Sequence, residues 1–177
     1  LNLRLRDNVS MRKTLRLWDC WPLYFRSTNL RDNMEIVNVY YIFHPKSIAV
    51  AGASGNTEKS GYRFFKSLLD LGYEGAVYPV NNKGDEILGH KVYSRVQDIP
   101  GQVDYVISCV PNNAALDLVD DCAVKGVKVI HFFTSRFSET GHEDGAVMEN
   151  ELLQRARKSN IRLIGPNCMG LYYPKGK

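Results

Sequence analysis

A short run of small and apolar residues, Ser47-Ile-Ala-Val-Ala51, opens into Gly52-Ala-Ser-Gly-Asn-Thr-Glu-Lys-Ser-Gly61 and then into a segment patterned as a helix, 62–71. Few folds accommodate that order. A strand without polar alternation needs cover on both faces, which is the situation of a parallel strand inside an α/β sheet. A small-residue turn leading from such a strand into a helix aims free backbone N–H groups and the positive helix end at one point. That arrangement cradles an anion, phosphate above all.

The remainder of the chain continues the alternation. Phe64, Phe65, Leu68 and Leu69 fall on one face of the first helix, and Gly72 stops it. Residues Ala76–Val80 read as the second strand. The stretch 81–100 has no long period, and Gly84, Gly89 and Pro100 mark it as a connection with at most short elements. A third strand is expected over Val103–Val110, followed by a helix whose apolar stripe is Ala115, Leu116, Val119, Cys122 and Ala123, ended by Gly126. Val127–Phe133 gives a fourth strand. A helix to about Ser159 then turns Val147, Met148, Leu152 and Ala156 inward, and Ile161–Ile164 gives a fifth strand. Upstream, Ile36–Phe43 is expected as an edge strand or a lead-in, halted by Pro45. The predicted fold is therefore α/β: a doubly wound, Rossmann-like parallel sheet of about five strands, with right-handed crossovers and ligands at the C-terminal strand ends.

The net charge of +4 suggests a polyanion partner until it is located. Residues 1–33 carry seven basic and three acidic side chains, which accounts for all of it; residues 34–177 hold 16 of each sign. A nucleic-acid surface on the main domain is thus not expected. Residues 1–33 lack Met at the start, a signal-peptide core and a clean period, and they read as a basic extension outside the domain, with Met34 as the candidate initiator. Deleting them is expected to leave ligand affinity unchanged. The longest apolar runs, such as 37–43, fall far short of the ~18 residues of a membrane span, so no membrane partner is expected. Four cysteines without CxxC or Cys/His spacing indicate no metal site and a reducing, cytoplasmic setting. Cys109 and Cys122 lie in apolar patterns and read as buried small hydrophobes.

Three ligand chemistries compete for the opening loop. A dinucleotide fingerprint wants Gly-x-Gly-x-x-Gly and an acid near the end of the second strand. Here Ser54 and Thr57 stand at the second and third glycine positions, and the second strand ends in Tyr78-Pro-Val-Asn-Asn-Lys83. A cation where NAD needs a carboxylate disfavours NAD, whereas Lys83 suits the 2′-phosphate of NADP. A P-loop fails because Lys59-Ser60-Gly61 has the wrong order. A Ser54 nucleophile would need a placed histidine, and His44, His90, His131 and His142 are better read as structural or surface groups.

Taken together, Phe43-His-Pro-Lys-Ser-Ile-Ala-Val-Ala-Gly-Ala-Ser54, Tyr78-Pro-Val-Asn-Asn-Lys83, Val110-Pro111, Phe137-Ser-Glu-Thr-Gly141 and Ile161-Arg-Leu-Ile-Gly-Pro-Asn-Cys-Met-Gly170 resemble one family. It is the CoA-binding domain of the NDP-forming acyl-CoA synthetases, related to the succinyl-CoA synthetase alpha subunit. The resemblance spans roughly residues 42–174, with the five motifs in order.

The resemblance implies coenzyme A as the ligand. By position, Gly52, Ser54, Gly55, Asn56 and Thr57 would wrap its phosphates, and Lys83 would supply a point charge to them. Val110 and Pro111 would flank the adenine or pantetheine arm. Phe133, Thr134 and Ser135 match a CoA-contacting stretch, and Asn167 and Cys168 lie in the loop near the thiol end. No catalytic residue is carried over. The family's phosphohistidine lies in a following domain and its nucleotide in an ATP-grasp portion or beta subunit, so residues 34–177 are expected to bind CoA as the front of a larger acid–CoA ligase without turning over alone. One position departs from the pattern: the family usually has a small residue, often glycine, where this chain has Arg136. The alternatives left open are a stand-alone CoA-binding or regulatory module, an acyltransferase-fused domain, and an NADP-binding oxidoreductase fragment.

Overall fold

A computed structural model describes residues 40–171 and 173. Residues 1–33, expected as an extension, and Met34 lie outside the described residues. Tyr40–Phe43 forms one helical turn, α1, and of the two alternatives expected for Ile36–Phe43 these residues follow the lead-in and not the edge strand, Tyr41 and Ile42 packing against the core. The sheet is built from β1 (Ser47–Ala51), β2 (Ala76–Val80), β5 (Tyr105–Ser108), β6 (Val129–Phe132) and β7 (Arg162–Ile164), all parallel in the order β2-β1-β5-β6-β7. Numbered within the sheet alone, that is 2-1-3-4-5, a doubly wound order whose direction reverses between β1 and β5.

Three helices cover the sheet: α2 (Ser60–Asp70), α3 (Ala115–Lys125) and α4 (Glu143–Lys158). Strand alternation sends side chains to opposite layers. Ile48 and Val50 of β1, with Tyr105, Ile107 and Val129, pack with the fully buried Phe65 of α2. Ala49, Ala51, Val106, Ile130 and Phe132 pack with Leu118, Val119 and Cys122 of α3 and Leu152 and Ala156 of α4. The crossover from β2 to β5 has no helix. It holds a two-residue hairpin, β3 (Glu86–Ile87) with β4 (His90–Lys91), and a 3-10 turn at Val96–Asp98, and it plugs both layers with Ile87 and Val92 on one side and Val96, Ile99 and Val103 on the other.

Proline at position 79, in the middle of β2, is tolerated because β2 is an edge strand. That edge is partly occupied: Tyr93 donates its N–H to Pro79 O and accepts from the N–H of Asn81. At the opposite end of the sheet, Asp104 accepts from the N–H of Lys46 and from the Gln102 amide at 2.8 Å each, while its own N–H donates to Ser47 Oγ. These contacts tie the entrances of β1 and β5. One inward assignment needs correction: Val147 is 61% exposed, because the buried stripe of α4 runs through Leu152 and Ala156. Leu116 and Ala123 pack against the core while partly exposed, and Leu118, not included in the expected stripe, is buried beside them. Among the described residues, no helix is long and apolar enough to cross a membrane.

Candidate functional site

The C-terminal ends of β1, β2, β5 and β6 open on one cleft of about 1360 Å³ at the reversal point of the sheet. Its first wall is the loop from Gly52 to Lys59. Gly52 turns the chain sharply at φ 83°, and a side chain there would stand 2.7 Å from the Cys109 carbonyl oxygen. Its N–H and that of Ala53 both donate to Val80 O, and the Asn81 amide donates to Ala53 O. The β1 loop is therefore pinned to the end of β2. Gly61 in the first turn of α2 closes on the same turn, since a Cβ at Gly61 would lie 2.0 Å from Gly52 O. Only glycine at both positions lets the helix start this close to the strand end.

Within the loop, side chains hold the backbone. Ser54 Oγ accepts from the N–H of Asn56 at 3.2 Å, and Asn56 Oδ1 accepts from Glu58 at 2.9 Å. The N–H groups of Ser54, Gly55, Thr57, Ser60 and Gly61 have no acceptor among the described residues, and Lys59 at the helix N-cap makes no side-chain capping bond. The positive end of an 11-residue helix and the free donors of Ser54, Ser60 and Gly61 thus meet at the cleft, while Gly55 and Thr57 stand on the loop outside its lining.

The second wall comes from the ends of β5 and β6. Val110, Pro111 and Asn112 line it, facing Phe133, Thr134, Ser135 and Arg136. Thr134 is buried, and its single hydroxyl proton goes to Val110 O at 2.8 Å. With the nearer Val110 O taken over Ser108 O at 3.4 Å, the fully buried Ser108 hydroxyl, 3.0 Å away, is the group left to donate to Thr134 Oγ1. Thr134 straps the two strand ends together and has no proton left for a ligand. Its carbonyl accepts from the N–H of Asn167 at 2.9 Å, and Phe132 O accepts from Cys168. Arg136 and Phe137 donate their N–H groups to the two oxygens of Glu139 at 2.7 and 2.8 Å. Phe133 meets Phe64 edge-on at 5.2 Å.

Four cations line the cleft: Lys59, Lys83, Arg95 and Arg136. Arg95 is neutralised by the buried carboxylate of Asp121, 2.9 Å away, which also accepts from the N–H of Val96 at 2.7 Å. Lys59, Lys83 and Arg136 form no ion pair among the described residues. Lys83 is presented at the end of a tight turn in which its N–H donates to Asn81 Oδ1 at 2.9 Å.

Of the residues expected from the sequence, Gly52, Ser54, Lys83, Val110, Pro111, Phe133, Thr134 and Ser135 line this cleft. Gly55, Asn56 and Thr57 are exposed on the crest of the loop, outside the cleft lining. Asn167 and Cys168 also fall outside it, fixed to the end of β6. His131 explains that placement. It is buried in β6, and its Nε2 donates to Cys168 O at 2.8 Å, which anchors the loop and confirms a structural histidine. Burial holds its pKa below the usual range. Cys122 is buried as expected, but Cys109 is only partly so and faces the cleft. Burial raises the Cys109 thiol to about 12, so it is protonated at neutral pH and is no nucleophile. Sequence reading missed Lys59, Ser60, Gly61, Arg95, Asn112 and Asp121 as wall residues. Lys59-Ser60-Gly61 carried a usable signal, because the residues that fail as a P-loop still stand at a helix N-terminus.

A family model described as a CoA binding domain matches residues 46–174. The alpha subunit of acetate–CoA ligase [ADP-forming] I from Pyrococcus furiosus is 43% identical over 140 residues, covering 77% of this chain and 30% of that protein. Acetyl-coenzyme A synthetase 1 of Ca. Korarchaeum cryptofilum, solved with phosphate and ADP, superposes with a TM-score of 0.73 at 40% identity, over 78% of this chain and 30% of the other. A hypothetical protein from Pyrococcus horikoshii OT3 superposes at 0.59 with 28% identity, over 81% of this chain and 92% of its own. The chain thus spans about a third or less of the length of the synthetase relatives it matches.

Proposed function

Because this chain belongs to the CoA-binding domain family, we propose that its cleft binds coenzyme A and that it serves as the CoA-binding portion of an ADP-forming acid–CoA ligase. One observation carries the reading. Free N–H donors at the start of α2 face a cleft whose β2 corner carries an unpaired lysine, Lys83, where a dinucleotide site would set a carboxylate for the ribose. Backbone donors and a point charge suit the diphosphate of CoA; the partly apolar second wall, Val110, Pro111 and Phe133, suits its adenine or pantetheine.

In this reading the chain's own residues bind and orient CoA. No histidine lines the cleft among the described residues, and the one nearest the strand ends, His131, is committed to Cys168 O. Phosphohistidine chemistry and the nucleotide site belong in this reading to an ATP-grasp portion or beta subunit acting with this domain. Asn167 and Cys168 would reach the thiol end of CoA from the anchored loop beside the cleft.

Titration calorimetry with CoA and NADPH tests the ligand. CoA is expected to bind more tightly, and tighter NADPH binding would overturn the reading. Lys83→Ala should weaken CoA roughly threefold to tenfold and flatten its salt dependence, as loss of an exposed phosphate contact does. An unchanged affinity would remove Lys83 from the site. A second reading, a stand-alone CoA-binding module, is supported by size alone: the fold covers 92% of the hypothetical protein from Pyrococcus horikoshii. A downstream reading frame with a histidine-bearing doubly wound domain and an ATP-grasp region would decide for the ligase.

A further inference from the structure

The least expected residue in the cleft is Arg136. It stands at φ 75°, a left-handed conformation that favours glycine, yet two neighbouring side chains hold its backbone there. Glu139 accepts its N–H and that of Phe137, and Asn112 Nδ2, from the end of β5, donates to its carbonyl at 3.2 Å. The side chain is exposed, lines the cleft and has no ion-pair partner among the described residues. A backbone fixed against its own preference thus carries, on the second wall, a guanidinium that forms no ion pair among the described residues, although the Glu139 carboxylate lies against its backbone and Asp117 lines the same cleft.

Position gives that guanidinium a separate task. Lys83 follows β2 and Arg136 follows β6, three strand intervals apart in the order β2-β1-β5-β6. At about 4.8 Å per interval the two strand ends lie about 14 Å apart. The free N–H row and Lys59 are on the β1 side, with Lys83 next to them. The first wall is therefore equipped for one anionic group, and Arg136 stands across the cleft from it. A planar, weakly hydrated fork with parallel donors is matched to the terminal oxygens of a phosphoryl dianion.

We infer that Arg136 is a second anion-binding residue of this cleft, taking a terminal phosphoryl dianion: either the 3′-phosphate of CoA or an inorganic phosphate bound beside it. The inference rests on the CoA reading above and adds to it a residue that the family pattern does not supply.

Calorimetry at fixed ionic strength with CoA, dephospho-CoA and sodium phosphate tests it on the wild type, R136Q and R136G. Glutamine keeps the side-chain bulk, and glycine accepts the left-handed backbone. If the 3′-phosphate is the dianion, both variants lose roughly tenfold to a hundredfold in CoA affinity and hold dephospho-CoA affinity within about twofold, as loss of a charge-assisted contact requires. If inorganic phosphate is the dianion, CoA affinity holds, and phosphate binding to the CoA-loaded protein disappears in both. Equal losses for CoA and dephospho-CoA overturn the inference. So does an absence of any change, or a loss in R136Q that R136G does not share, since both lack the charge. A wild type that binds neither CoA nor dephospho-CoA overturns the CoA reading itself, an outcome distinct from every result on the variants.

Discussion

The contact between Gly61 and the β1 loop offers a sharp test of how the phosphate cradle is built. A methyl group at Gly61 would sit 2.0 Å from Gly52 O, 2.7 Å from Gly52 C and 3.0 Å from Ala53 Cα, all main-chain atoms. Carbon–oxygen contacts need more than 3 Å, so helix and loop must separate by over an ångström. Neither is free to move. Phe65 is fully buried one turn along α2, and Gly52 is held by Val80 O and by its approach to Cys109. Overpacking of this kind costs about 1–3 kcal/mol and occasionally more; with immobile neighbours we expect about 3 kcal/mol for Gly61→Ala. Gly55→Ala is the matched control, because nothing lies within 4 Å of its Cβ position and its φ is not left-handed. It should be neutral or stabilising by about 0.4–1 kcal/mol through the unfolded chain. Both changes stiffen the unfolded state alike, so their difference isolates the folded-state clash. In urea titrations with a slope of about 2 kcal/mol/M, Gly61→Ala should lower the midpoint by about 1.5 M at unchanged slope. A midpoint within about 0.25 M of the wild type, or no lower than that of Gly55→Ala, refutes the close-approach argument.

Thr134→Val keeps the side-chain shape and removes the proton that satisfies Val110 O and the acceptor that satisfies Ser108. Leaving buried groups unpaired should cost about 1–3 kcal/mol in denaturant titration, and a variant of unchanged stability that lost CoA affinity would make Thr134 a ligand contact instead of a strap. His131 predicts a pH dependence. Its folded pKa lies below the unfolded value of about 6.5, so below that pH the unfolded chain binds more protons. Stability is intact above about 6.5, falls as the pH drops toward the folded pKa, and the loss is complete below it. His131→Gln, whose amide can replace the Nε2 donor to Cys168 O, should flatten the profile of urea midpoint against pH between 7.5 and 5; an unchanged slope would exclude His131 as its source.

How much of this was legible varied with the cause of each boundary. Ser47–Ala51 and Ala76–Val80 match at both ends, because chain-turning residues bound them: Pro45 and Gly52 around the first, Gly75 before the second. The strands expected over Val103–Val110 and Val127–Phe133 pair only over Tyr105–Ser108 and Val129–Phe132. Val103 and Val127 are nonetheless buried. An apolar pattern reports burial, and at a sheet end burial outlasts ladder pairing. Tyr40–Phe43 left two alternatives open. Its aromatic, branched composition suits a strand, but part of the outer edge of β2 is engaged by Tyr93, and the segment closes into a helical turn whose Tyr41 and Ile42 pack on the core as a lead-in.

At the site, several residues chosen by type also hold the loops themselves. Ser54, Asn56 and Thr134 were read as polar groups for a ligand, yet Ser54 and Asn56 accept from their own loop and Thr134 spends its proton on Val110 O. Side chains that shape a loop cannot be told from those that contact a ligand until their partners are known, because both tasks select small hydroxyls and amides. What this division of labour leaves for the anion is main chain: the free N–H groups from Ser54 to Gly61. A serine can then stand at the second fingerprint-glycine position and still leave backbone donors free, since the Ser54 side chain helps to fix the turn. Charge obeys the same logic. Arg95 lies in the cleft with Lys59, Lys83 and Arg136, but the buried Asp121 cancels it. Asp120, on the same lining, is likewise taken up by Arg155, so the charges left without an ion pair are Lys59, Lys83 and Arg136 against Glu58 and Asp117; the cations stand two beside the N–H row and one across from it, a spacing that suits a ligand with two separate phosphate groups.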